Sequence, residues 1–149
     1  MKVYDASQVT VAFAGVPLQG YAAGAFCRIS EESDAFTDEV GADGEVVRSK
    51  TNDRRATVTV ILQRTSDSND FLSALANRDK NSPNGAGVGA LLIRDRNGRA
   101  LYTASKAWIR KAPDVEFGTE AGNVEWTIRC ANLVRFDGGN GTPVAGLPI

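Results

Sequence analysis

The chain contains no histidine. That removes the side chain most often used as a general base near neutral pH. No serine or cysteine sits in a nucleophile-elbow pattern. Carboxylates close in sequence, such as Glu31 and Asp34, fall in one solvated stretch without the apolar surroundings that raise a pKa. The residues speak against an enzyme, and a carboxylate-only hydrolase is the one catalytic option left. Cysteine is scarce: Cys27 and Cys130 are too few for a disulfide framework. Both fall in strand-like runs beside Ile29 and Ile128, which predicts buried free thiols in a reducing compartment. No Cys-x-x-Cys and no Cys/His cluster is present, so no zinc site, metal or cofactor is expected.

Long apolar runs are also missing. Nothing approaches the roughly 20 residues of a membrane helix, and no membrane insertion by this chain is expected. Residues 9–18 come nearest to a signal-peptide core, but Asp5 and Gln8 precede them, Thr10 interrupts them and Pro17 lies among them. Alternation of Val9, Val11 and Phe13 fits a strand better. The net charge is only −1, which leaves no basic excess of the kind that drives tight nucleic-acid binding. Aromatic residues make up 7%, little material for lining a ligand cavity.

What is present is a chain of 149 residues with 42% hydrophobic content and 15 glycines. The length suits one domain, able to bury about two-thirds of its unfolded surface. Local charge says more than the total. Residues 31–45 carry seven acids and no Lys or Arg, whereas the rest carries all 17 basic residues against 11 acids. A mildly basic body thus bears one acidic segment: a solvated loop and hairpin, a surface complementary to another copy, or a channel lining.

Residues 41–75 organise the rest. Asp43-Gly44 is a tight-turn dipeptide, since Gly accepts positive φ and Asp tolerates it. It lies between strand-like runs at 36–40 and 45–49, which predicts a projecting hairpin. The strand at 56–63 follows, with Val58, Val60 and Leu62 on one face and Thr57, Thr59, Ile61 and Gln63 on the other. Ser66 is placed to cap a short helix, whose apolar face is Phe71, Leu72, Leu75 and Ala76. That face is expected to lie on a sheet.

A first strand covers 8–14, a short return 18–21, and a strand 26–30. Residues 81–87 form a loop that lacks the Lys-Ser/Thr of a phosphate-binding loop. Residues 88–94 are apolar on both parities, which predicts a strand covered on both sides. Asn97-Gly98 signals a hairpin whose return strand continues, bent, through 108–110. A further strand is expected at 115–117 and a strong one at 123–135 with a bulge near Ala131–Asn132. Trp108 and Trp126 are expected as core or interface side chains. The tail at 137–149 is rich in Gly and Pro, yet Val144, Leu147 and Ile149 are apolar for a free end, which suits packing on a neighbouring subunit.

The order of motifs resembles the tail tube proteins of contractile-tailed bacteriophages. The matching pieces are GADGE at 41–45, the charged linker at 48–55, TVTVIL at 57–62, TSDSND at 65–70 and FLSAL at 71–75. GVPLQG at 15–20 and VEWTI at 124–128 are similar as well, so the resemblance spans nearly the whole chain. It implies a structural virion protein whose hexameric rings stack into a hollow inner tail tube, the conduit for genome delivery. It also implies partners: further copies of itself, the tail sheath, the tape-measure protein, the baseplate and the tail terminator. DNA would pass through non-specifically. Assembly would occur in the host cytoplasm and the product would lie in the virion tail. Tube proteins of contractile bacteriocins and type VI secretion systems share the implied architecture. A monomeric β-sandwich ligand-binding module is the competing class, separable by size in solution.

The expected fold is therefore mainly β: one domain over 1–149, an antiparallel β-sandwich or small barrel of about seven to nine strands. It carries one flanking α-helix at about 67–79, a projecting β-hairpin at about 36–50 and a C-terminal extension at 137–149. Ring closure would use sheet edges. The self-assembly hairpin and loop comprise Asp43, Gly44, Glu45, Arg48, Lys50, Arg54 and Arg55. Glu31, Glu32, Asp34 and Asp38 are candidate lumen or stacking acids.

Overall fold

The computed structural model describes residues 1–141. The expected C-terminal packing of Val144, Leu147 and Ile149 lies outside them. After a 3₁₀ turn at Ala6–Gln8 come β1 (Val9–Phe13), β2 (Val16–Pro17), β3 (Cys27–Glu31), β4 (Phe36–Val40), β5 (Val46–Lys50) and β6 (Ala56–Gln63). Then follow α1 (Ser68–Asn81), β7 (Gly89–Asp95), β8 (Leu101–Lys111), β9 (Asn123–Cys130) and β10 (Leu133–Phe136).

The main sheet is antiparallel throughout, ordered β2-β1-β7-β8-β9-β6-β3, with β10 also on β8. Its inner face follows from period-two alternation. Val11 and Phe13 of β1, Val58, Val60 and Leu62 of β6, Leu91 and Ile93 of β7, and Val124, Trp126 and Ile128 of β9 are all buried in one cluster. Helix α1 contributes Leu72 to this core and packs Phe71, Leu75 and Ala76 against it. The Trp126 indole N–H donates to Asn69 Oδ1 of α1 at 2.9 Å, so the buried ring keeps its polar handle satisfied.

The sheet curls but does not close into a barrel, because β2 and β3 remain edges. The 18–26 segment bridges the gap. Leu18 N–H donates to Val11 O of β1, while Gln63 and Ile61 of β6 donate to Gly20 O and Phe26 O. The Tyr21 hydroxyl accepts from Val11 N–H at 3.1 Å. Gly20 makes this crossing possible: its φ is +74, and an added Cβ would lie 2.6 Å from Ser66 Cβ and Oγ. Gly20→Ala is expected to lower stability by about 2–4 kcal/mol, combining left-handed strain with overpacking. Gly24→Ala, at φ +81 with open space around it, serves as the control and is expected to lose only about 1–2 kcal/mol. Urea unfolding of both variants checks this.

Several expectations need correction. The return strand expected at 18–21 is instead the two-residue β2, with Tyr21 making only an isolated bridge to Leu62. The strand at 88–94 begins one residue later and is covered on one side: Leu91 and Ile93 are buried, but Val88 and Leu92 are exposed. Residues 115–117 form no strand, since β9 already pairs with β6 on one side and β8 on the other. The stretch at 123–135 is two strands. Across the Ala131–Asn132 break the register with β8 is unchanged, Cys130 opposite Ala107 and Leu133 opposite Ala104. The register shifts lie elsewhere, between Gly89 and Leu91 and between Ile109 and Lys111.

The helix cap differs as well. Asp67 holds the N-cap position without a side-chain cap bond. Ser66 sits one residue earlier, where its Oγ accepts from Ser68 N–H at 3.2 Å and donates to Gln19 O at 2.5 Å. It ties the helix start to the bridging segment. Cys130 is fully buried and Cys27 half-buried, both free. Burial pushes each thiol up to about 11, so neither is activated as a nucleophile.

Candidate assembly surface

Residues 36–50 leave the body as a separate two-stranded sheet. Register runs from Phe36 opposite Lys50 to Val40 opposite Val46. The turn closes as Asp43-Gly44 dictates. Gly44 has φ +88, its N–H donates to Gly41 O, and Gly41 N–H donates to Glu45 O. Asp43 Oδ1 accepts from Glu45 N–H at 3.1 Å.

Every residue of β4 and β5 is exposed. The hairpin nonetheless carries Phe36, Val47 and the facing pair Val40 and Val46, 65% and 62% exposed. An isolated two-stranded hairpin is marginal in water, and uncovered apolar side chains on it mark an interaction surface. Arg48 stands opposite Asp38 and places its guanidinium 4.1 Å from the Phe36 ring centre. Asp38, Glu39, Asp43 and Glu45 have no salt-bridge partner among the described residues.

A polar clamp fixes the hairpin root. Thr51 N–H donates to Ala35 O, and Glu32 N–H to Arg55 O. Arg55 grips Asp53 with two hydrogen bonds of 2.9 and 2.8 Å, and Ser33 Oγ donates to Asp53 Oδ2 at 2.8 Å. Glu32 folds back over the outer sheet face, accepting from the Thr57 hydroxyl and lying 3.6 Å from Arg129. Arg129 is nearly buried, its side chain 11% exposed, between Thr57 on β6 and Trp108 on β8. Glu31 reaches Arg135 at 3.8 Å.

The candidate acids thus divide. Glu31 and Glu32 are engaged within the subunit, Asp34 is free and exposed, and Asp38 belongs to the hairpin. Of the candidate bases, Arg48 and Lys50 lie on β5, Arg55 is in the clamp, and Arg54 is exposed with its carbonyl accepting from Leu133 N–H. Sequence reasoning missed Ser33, Asp53, Thr57, Arg129 and Arg135. The one local signal was Arg129, a charge inside the strongest late strand on the parity opposite Ile128 and Cys130.

The clamp gives an acid response. The Thr57 hydrogen bond, with help from Arg129, Arg110 and Arg55, lowers the Glu32 pKa. Arg55, chiefly by hydrogen bonding, holds Asp53 well below the usual carboxylate range. Depressed carboxylate pKa values give stability that is present above the unfolded value near 4 and is lost as pH falls below it. Urea midpoints are expected to drop on acidification below about pH 4, less steeply in Glu32→Gln and Asp53→Asn.

Among the described residues no group of three or more acidic or cysteine side chains is placed to hold a metal ion. No described helix is long and apolar enough to cross a membrane.

The family described as Bacteriophage PhiTE tail tube protein matches residues 5–137. Structural protein ORF10 of Pseudomonas phage KPP10 is 32% identical over 143 residues, covering 92% of this chain and 83% of that protein. Among solved structures, the tube-terminating cap of the anti-feeding prophage superposes with a TM-score of 0.62 at 9% identity, over 91% of this chain and 92% of its own. A chain of the PVC extracellular contractile injection system, from its sheath–tube complex, superposes with a TM-score of 0.57 at 10% identity, over 89% and 90%. At such identities these two likenesses concern fold alone. The family match covers most of the sequence, and the chain belongs to the PhiTE-type bacteriophage tail tube proteins, a structural family and not an enzyme family.

Proposed function

We propose that this chain, acting as one domain, assembles into stacked hexameric rings that form the inner tube of a contractile phage tail and conduct the genome. The observation that carries the reading is the β4–β5 hairpin, wholly exposed yet bearing four large apolar side chains. A subunit that works alone has no use for that surface, whereas a head-to-tail neighbour buries it. The uncovered outer side of β7 supports the same reading. On it, partners are further copies inside the tube, the sheath around it, the tape-measure protein during assembly, and the baseplate and terminator at its ends. DNA passes without sequence-specific contacts.

Light scattering across a wide concentration range tests self-assembly. Particles far above 15.8 kDa are expected, growing with concentration, and a strictly monomeric species contradicts the proposal. The fold likeness to contractile injection systems favours one second reading, a tube of a phage-derived particle without a genome. Extraction of DNA from native particles separates the two.

A further inference from the structure

The outer side of β1, β7, β8 and β10 is a second uncovered surface. Leu92 of β7 stands opposite Thr103 of β8, which stands opposite Val134 of β10. Leu92 is 40% and Val134 60% exposed. Two residues along, exposed Leu101 stands opposite Arg94. Neighbouring strands lie about 4.8 Å apart and alternate same-face residues about 7 Å apart, so these side chains form one contiguous patch. Arg94 and Arg96 rim it, both exposed and without a carboxylate within salt-bridge distance among the described residues.

We infer that this patch receives the β4–β5 hairpin of a second copy of the chain. The inference rests on the self-assembly proposed above and names the surfaces that meet. Charge complementarity selects the occupant: the hairpin carries four unpaired carboxylates against two cations, Arg48 and Lys50, with Asp43 and Glu45 at its tip, the patch has unpaired guanidiniums, and each has exposed aliphatic side chains beside its charges. Val40 and Val46, facing each other next to the turn, cover Leu92, Leu101 and Val134. Asp43 and Glu45 at the tip meet Arg94 and Arg96. The contact is heterologous, so it propagates from copy to copy instead of ending at a dimer. It also supplies the second covering layer that the apolar parity of β7 lacks within one subunit.

Charge reversal tests it. One variant carries Asp43→Lys and Glu45→Lys, a second carries Arg94→Glu and Arg96→Glu, and a third carries all four changes. All sites are exposed, and circular dichroism checks that each variant is folded. Each reversal alone is expected to raise the concentration needed for polymer by about tenfold or more. The fourfold variant is expected to return close to the parent. Mixing the two single-surface variants is expected to restore polymer as well, because each then offers the surface that the other's hairpin or patch requires. Normal assembly of either reversal alone, or no rescue in both the fourfold variant and the mixture, overturns the docking while leaving self-assembly standing. Failure of the parent to polymerise overturns both. A reversal that polymerises normally but loses a sheath partner assigns the patch to that partner instead.

Discussion

Replacing residues 36–50 with a two-residue turn is expected to give a subunit that folds normally and no longer forms tubes. Thr51 N–H already donates to Ala35 O at 2.8 Å, so the root is closed and a short connection spans it. The hairpin contributes no side chain to the buried core. Its removal should leave the urea midpoint nearly unchanged. The assembly term is larger. Fully burying a Val or Phe side chain contributes about 1.5–3 kcal/mol, and four such side chains are uncovered here. Ordering costs offset part of that gain, yet each remaining 1.4 kcal/mol still changes an association constant about tenfold. A shift of two or more orders of magnitude in the concentration at which polymer appears is therefore expected. Sedimentation of the variant beside the parent checks it, and tubes formed at the parental concentration would contradict it.

The second large effect separates folding from assembly. Leu62→Ala is expected to lower stability by about 2–5 kcal/mol, against a total of about 5–15 kcal/mol for a typical domain. Leu62 is completely buried on β6, opposite Val124 of β9 and bridged to Tyr21. Truncation leaves a cavity where the bridging segment meets the core, and the crossing through Gly20 leaves little room for collapse. Thr59→Ala, on the outer face of the same strand, is expected to change stability by less than about 1 kcal/mol. Urea unfolding of dissociated subunits reads both. Similar midpoints for the two variants would mean that β6 does not present its faces as described.

Much of this architecture was legible because it is local. The alternation in β6, the Asp43-Gly44 turn and the apolar stripe of α1 each depend on residues close in sequence, and the hairpin bounds at 36–50 matched. What was missed depends on distant pairing. Residues 115–117 look strand-like, but no free edge is left beside β9 for them to join. Apolar residues on both parities of β7 suggested two covering layers, and only one exists within the subunit. The clamp was hidden for the same reason. Glu32, Thr57 and Arg129 meet only after β3, β6 and β9 pair, and Arg129 alone looks like an outward charge on a half-exposed strand. An outward charge beneath a folded-back acidic segment becomes nearly buried, which alternation cannot reveal.

This chain alone is expected to build a tube. Negative-stain electron microscopy of the purified, concentrated protein, with no other tail component present, tests it most directly. Hollow tubes or sixfold rings with a clear central channel are expected. A uniform field of particles the size of one subunit, at concentrations where light scattering also reports monomer, would contradict it.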